Sequence, residues 1–130
     1  FTKVTAYVPP ENASMERVSA ALPDGYRAII GSVGATGYVP FEVLPDRLSK
    51  AVGMEAVCEH IGVPMPRTVA IGDSNNDVEA VARAAVGVSI GDGCEALVEV
   101  ADIVAPAVGA DGLAWALAAA GLIDGARSPV

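Results

Sequence analysis

The sequence predicts an α/β protein in which a smaller α+β segment precedes a parallel sheet. Three observations lead to this fold class. From Ser49 onwards, apolar runs typical of buried strands alternate with stretches of helical period, an order typical of parallel sheets with crossover helices. The first 45 residues follow a different order of strand, helix, strand and strand. With 52% hydrophobic and 18% charged residues, the 130-residue chain has ample apolar material for a packed core.

We place the boundary between the two parts after Pro45, so that residues 1–45 and 46–130 form separate domains. The predicted elements of the first part are a strand over residues 1–8, a helix over 11–22 and strands over 26–33 and 38–44. Apolar and polar side chains alternate in the first strand, and Pro9 ends it. A turn at residues 34–37 predicts that the last two strands pair as a hairpin.

The second part is predicted to alternate helix and strand to its end. The predicted helices cover residues 49–61, 78–85, 94–100 and 112–120, and the predicted strands cover 68–71, 86–90 and 102–105. The apolar period of the first helix predicts a buried face of Val52, Ala56, Val57 and Ile61, and Gly62 lies where that helix would end. We expect Trp115 to anchor the last helix on the sheet and residues 124–130 to fray.

The net charge argues against several classes of partner, and the cysteine spacing argues against a cysteine metal site. The formal net charge of −8 argues against nucleic acid and against an anionic membrane surface, because both attract basic proteins. No apolar run approaches the length that spans a bilayer. Cys58 and Cys94 lack the spacing of a metal site, and His60 lies on a different helix face from Cys58. We interpret both cysteines as reduced thiols and expect a cytoplasmic protein.

The most informative segment is the acidic turn Gly72-Asp73-Ser74-Asn75-Asn76-Asp77, which follows the strand over 68–71. Parallel strands deliver polar groups to their carboxyl edge, where α/β proteins bind ligands. Asp73 and Asp77 are close enough in sequence to share one cation, and carboxylates with a phosphate favour Mg²⁺. Asp73 could instead cap a helix, and Asp77 could be a first-turn acid stabilised by the helix dipole, but neither alternative explains the whole cluster.

The turn resembles the fourth motif of the haloacid dehalogenase superfamily, in the Cof-type branch of Mg²⁺-dependent phosphatases. Leu48-Ser49-Lys50 resembles the third motif of that branch. Residues 86–92, 101–104 and 111–113 resemble the segments that follow, and Glu42 resembles an acid in the last strand of the inserted cap. The resemblance implies the C-terminal half of a Rossmann-like parallel core, preceded by the end of an α+β cap.

The resemblance also implies roles for individual residues. Lys50 would hold both the phosphate and the nucleophile, and Asp73 and Asp77 would hold Mg²⁺. Asn76 would contact the phosphate or the nucleophile, and Ser74 would add a phosphate contact. Lys50 and Asn76 are thus the candidate catalytic residues, although an isolated lysine would be interpreted as a solvated surface residue.

The family's nucleophile lies in an Asp-x-Asp motif, and this sequence contains none. We therefore expect the C-terminal part of a longer phosphatase that hydrolyses a small phosphorylated metabolite such as a sugar phosphate. The chain would supply the metal- and phosphate-binding part, would be inactive alone, and would pair with the missing N-terminal segment or with a second copy of itself.

Alternative functions remain open at this point. A phosphomutase of the same superfamily resembles the chain in these motifs, and a non-catalytic fragment or interaction module would explain the missing nucleophile. A phospho-accepting receiver domain fits less well, because no acidic pair lies on an earlier strand. Tyr26, Tyr38 and Glu42 could contact substrate from the cap or could pack the hairpin.

Overall fold

The computed structural model describes residues 3–31 and 36–124, which divide between Ser49 and Lys50 into two compact units. The first unit is an α+β structure and the second contains a parallel sheet, which confirms the predicted α/β class. Within the described residues, no helix has both the length and the apolar character needed to cross a membrane.

The first unit is a three-stranded antiparallel sheet with one short helix. Its elements are β1 (Val4–Val8), α1 (Met15–Ala20), β2 (Tyr26–Ile30) and β3 (Val39–Pro45). The strands lie in the order β1-β3-β2, so the predicted hairpin of β2 and β3 is confirmed and β1 pairs with the other edge of β3. The central strand holds Phe41, which is 1% exposed. The predicted strand residues 32–33 and turn residues 34–35 lie outside the described residues.

The predicted helix over residues 11–22 is shorter in the structure. A 3₁₀ turn at Pro10–Asn12 precedes α1, which begins only after Ser14. The Ser14 hydroxyl accepts a hydrogen bond from the backbone N–H of Arg17 at 3.2 Å, as an N-cap residue does. The helical period therefore covered two segments, and the capping serine marks the true start of the helix.

The second unit is a three-stranded parallel sheet with helices between its strands. Its elements are α2 (Lys50–Ile61), β4 (Val69–Gly72), α3 (Val78–Arg83), β5 (Val86–Ile90), α4 (Glu95–Val100), β6 (Ile103–Ala105) and α5 (Gly112–Ala119). The strand order is β4-β5-β6, and each neighbouring pair is parallel. Short 3₁₀ turns cover Met65–Arg67, Asn75–Asp77 and Val108–Ala110.

Helices α3 and α5 cover opposite faces of this sheet. Val88 and Ile90 of β5 form a buried cluster with Ala116 of α5, and Trp115 packs against that cluster as predicted. Successive strand residues face opposite sides of a sheet, so Gly87 faces the side opposite to Val88. A Cβ atom at Gly87 would meet Val81, which places α3 on that side. Burial on both faces explains why β5 is a continuous run without charged residues.

The predicted buried face of α2 is wrong. The buried residues are Ala51 and Cys58, whereas Val57 and Ile61 are 57% and 60% exposed. Ala51 and Cys58 are two turns apart and so lie on one face of α2, which also contacts α3. The helix ends as predicted at Gly62, whose φ of +70° suits glycine.

Candidate functional site

The carboxyl ends of β4 and β5 meet at one edge of the parallel sheet. Gly72, the last residue of β4, is aligned with Ser89, the residue before the end of β5, so the turns that follow the two strands are neighbours. The backbone N–H of Cys94, the N-cap residue of α4, donates to the carbonyl oxygen of Asp73 at 3.3 Å. This bond ties the turn after β5 to the acidic turn after β4.

Asp77 organises the acidic turn. Its Oδ1 accepts a hydrogen bond from Lys50 Nζ at 2.5 Å. Its Oδ2 accepts bonds from the backbone N–H groups of Asp73 and Ser74, both at 3.2 Å. Both oxygens of the carboxylate are thus bonded to groups of the chain itself, and the residue is 8% exposed.

These contacts determine the charge state of Asp77. Burial raises the pKa of its carboxyl group. The hydrogen bond from Lys50, the positive charge of Lys50 and the bonds from the Asp73 and Ser74 amides together lower that pKa by a larger amount. The net result is a pKa below the ordinary value of 3.8, so the group is a carboxylate at neutral pH.

Lys50 is the first residue of α2 and lies 27 positions before Asp77 in the sequence. Its side chain is 53% exposed although its ammonium group is held by Asp77. An ammonium carries three N–H groups. One end of the Lys50 side chain is thus fixed in position while half of its surface faces solvent.

The remaining turn residues form a small hydrogen-bonded group. The Ser74 hydroxyl lies 2.9 Å from Asn76 Oδ1 and 3.2 Å from Asp77 Oδ2. A hydroxyl carries one hydrogen, so it can donate to one of these oxygens at a time. Asp73 is exposed, and Asn76 is half-buried. The structure thus brings together Lys50 and all the turn residues that the sequence singled out.

The donor set fits a magnesium site in part. Asp73 is an exposed residue directly after β4, and its carboxylate is a hard oxygen donor of the kind that Mg²⁺ prefers. The Asp77 carboxylate is occupied by Lys50 and by two backbone amides. Among residues 3–31 and 36–124, no group of three or more His, Cys, Asp or Glu side chains could hold a metal ion.

Two residues of this region were not among the predicted site residues. Cys94 reaches it through its backbone, and nothing in its residue type could have indicated this contact. Gly72 lies against Asp77, since a Cβ atom at Gly72 would stand 2.3 Å from the Asp77 Cβ. A glycine at the end of an apolar strand was the available signal for such a close approach.

The cap residues singled out by sequence lie in the first unit. Glu42 is 5% exposed in the central strand and accepts a hydrogen bond from Lys3 Nζ at 2.9 Å. Tyr38 is 51% exposed and Tyr26 is half-buried.

Comparison with known proteins gives a consistent result. The family model of haloacid dehalogenase-like hydrolases matches residues 1–117. The chain is 38% identical over 116 residues to a phosphoglycolate phosphatase of Aeropyrum pernix, covering 88% of this chain and 45% of that protein. It is 36% identical over 61 residues to the 5-amino-6-(5-phospho-D-ribitylamino)uracil phosphatase YitU of Bacillus subtilis, covering 47% of this chain and 23% of that protein.

A solved structure shares the fold. BT1666 of Bacteroides thetaiotaomicron, a phosphatase of the HAD superfamily, superposes with a TM-score of 0.75 at 27% identity, over 94% of this chain and 42% of that one. The chain therefore spans less than half the length of each of these three proteins.

Proposed function

The chain belongs to the haloacid dehalogenase-like hydrolase family, and from this premise we propose that it is the metal- and phosphate-binding part of a Mg²⁺-dependent phosphomonoesterase of the Cof-type branch. The observation that carries the proposal is the joining of Lys50 to the acidic turn through Asp77 at the carboxyl edge of the sheet. A cation, a carboxylate and an amide at one sheet edge suit a dianionic phosphate group better than a neutral ligand.

Lys50 binds a phosphoryl oxygen in this proposal. Its ammonium donates one hydrogen bond to Asp77 and retains two further N–H groups. The partner carboxylate keeps the ammonium in place without neutralising its ability to donate. A lysine offers a compact positive charge for this purpose.

Asp73 is the metal ligand of this chain in the proposal. When bound, Mg²⁺ neutralises the negative charge of the transferring phosphoryl group. We assign direct coordination to Asp73 because the residue is exposed at the carboxyl end of β4. Asp77, which the sequence predicted as a second ligand, instead holds Lys50 and the backbone of the turn.

Asn76 contacts the phosphate through its amide, and Ser74 orients it. The Ser74 hydroxyl lies 2.9 Å from Asn76 Oδ1, which supports an orientation with the Nδ2 hydrogens turned away from Ser74. The phosphate contact of Ser74 itself stays a prediction.

The nucleophile comes from outside this sequence in the proposal, because the sequence has no Asp-x-Asp motif. An aspartate there would attack phosphorus as the P–O bond to the substrate alcohol breaks and the alcohol leaves. Water would then hydrolyse the aspartyl-phosphate to inorganic phosphate and free carboxylate, so the reaction is split into two easier steps. The relatives' names describe phosphatases of small organic phosphates. We propose that the whole protein hydrolyses substrates of this class, including sugar phosphates. We also propose that the whole protein is cytoplasmic.

The proposal is tested by substituting Asp73 in the full-length protein. Asp73→Asn keeps the side-chain shape but removes the charge, so we expect Mg²⁺-dependent hydrolysis of p-nitrophenyl phosphate to fall by roughly a hundredfold or more, as is typical when charge stabilisation is lost. Asp24→Asn, in an exposed turn of the first unit, is the matched control and should retain activity. Near-normal turnover by Asp73→Asn would remove the metal assignment.

A further inference from the structure

We propose that Gly72 is a positioning residue, which sets the place of the Lys50 ammonium through Asp77. Gly72 is the last residue of β4 and is buried. A Cβ atom built on it would stand 2.3 Å from Asp77 Cβ, 2.6 Å from Cγ and 2.9 Å from Oδ2. The Asp77 side chain thus lies directly over the Gly72 backbone, in space that any other residue would fill.

The neighbouring atoms at Gly72 cannot easily move aside. Asp77 Cβ is attached directly to the backbone, and the Asp77 N–H donates to the Ser74 carbonyl at 2.9 Å. The next residue, Val78, begins α3, which packs on β4 and β5. Displacing Asp77 would therefore disturb the start of a packed helix.

The consequence for the site follows from the bonds of Asp77. The same carboxylate holds Lys50 Nζ and the backbone N–H groups of Asp73 and Ser74. A side chain at position 72 would push that carboxylate away from all of them. Gly72 therefore acts on the proposed phosphate ligand and on the backbone of the proposed metal ligand without contacting substrate.

The first test is a double-mutant cycle in the full-length protein, read by urea denaturation. Asp77→Gly removes the three atoms that would lie nearest to a Cβ at Gly72, so the shift in denaturation midpoint caused by Gly72→Ala should at least halve in that background. Equal shifts in both backgrounds would overturn the proposal. If Gly72→Ala fails to fold, folding of the double variant supports the proposal, and its failure overturns it.

The second measurement follows Lys50 itself. The rate of acetylation of Lys50 by acetic anhydride, read by peptide mass spectrometry, should rise several-fold in Gly72→Ala because the ammonium loses its partner. Gly87→Ala is the matched control: its Cβ would stand 2.4 Å from the Val81 carbonyl oxygen, so it strains the same sheet away from Asp77. It should leave the Lys50 rate unchanged, and an equal rise there would overturn the positioning role.

This inference rests on the proposed function for its meaning in catalysis, but its test does not. Neither the cycle nor the acetylation rate requires turnover. If both support Gly72 while Asp73→Asn retains full activity, the metal assignment fails and the geometric coupling stands. If Gly72→Ala and Asp77→Gly are additive while Asp73→Asn loses activity, the coupling fails and the proposed function stands.

Discussion

At the scale of single residues, Asp77 shows how one carboxylate can serve several groups at once. Its two oxygens hold a lysine from another helix and two amides from its own turn. A carboxylate with this many donors is stabilised as an anion despite being buried. Sequence spacing suggests that Asp73 and Asp77 are equivalent, yet only Asp73 is exposed.

The lowered pKa of Asp77 predicts a pH dependence of stability. Because the folded-state pKa lies below the ordinary 3.8, the carboxylate contributes stability that is fully present above that value and is lost as pH falls through the folded pKa. We expect the difference in unfolding free energy between the wild type and Asp77→Asn to be largest at neutral pH and to shrink below pH 3.8. Urea denaturation across this range, with Asp24→Asn as the control for charge, provides the check. A difference that grows on acidification would contradict it.

At the scale of elements, the helices of the second unit depend on a few well-buried side chains. Leu97 of α4 is fully buried at 0% exposure, whereas Leu113 of α5 is 54% exposed. Burial of a leucine removes apolar surface from water, and its truncation also leaves a cavity.

Leu97→Ala should accordingly lower the unfolding free energy by about 2–5 kcal/mol. Leu113→Ala makes the same chemical change on a largely exposed site and should have a much smaller effect. Thermal and urea denaturation of both variants measure the contrast. Similar losses for the two would mean that α4 does not carry the packing that its burial indicates.

At the scale of the whole molecule, the parallel sheet has an edge strand that could pair with a strand of another chain. Within the described residues, β4 pairs with β5 on one side and with no strand on the other. Unpaired backbone groups at a sheet edge are a ready template for another strand. This is consistent with a chain that spans less than half the length of its relatives.

We expect the 130-residue chain, expressed by itself, to be inactive towards p-nitrophenyl phosphate with Mg²⁺ and to associate. A native mass spectrum should show species heavier than 13.1 kDa, such as a homodimer. A single 13.1 kDa species that turns over substrate would contradict both expectations.

The sequence by itself determined the α/β class, the order of the elements and the polar cluster after β4. Each depends on local patterns: alternation for strands, helical period for helices, and polar residues where a buried strand ends. The boundaries shifted where a local competitor acted, as Ser14 did at the start of α1.

The tertiary structure alone decided which groups meet. Lys50 and Asp77 are 27 positions apart, and their contact depends on how α2 packs beside α3. In α2 the structure buries Ala51 and Cys58 in place of the larger Val57 and Ile61 that the helical period favoured. Hydrogen-bond partners and buried faces are properties of neighbouring elements, so no pattern within one element can specify them.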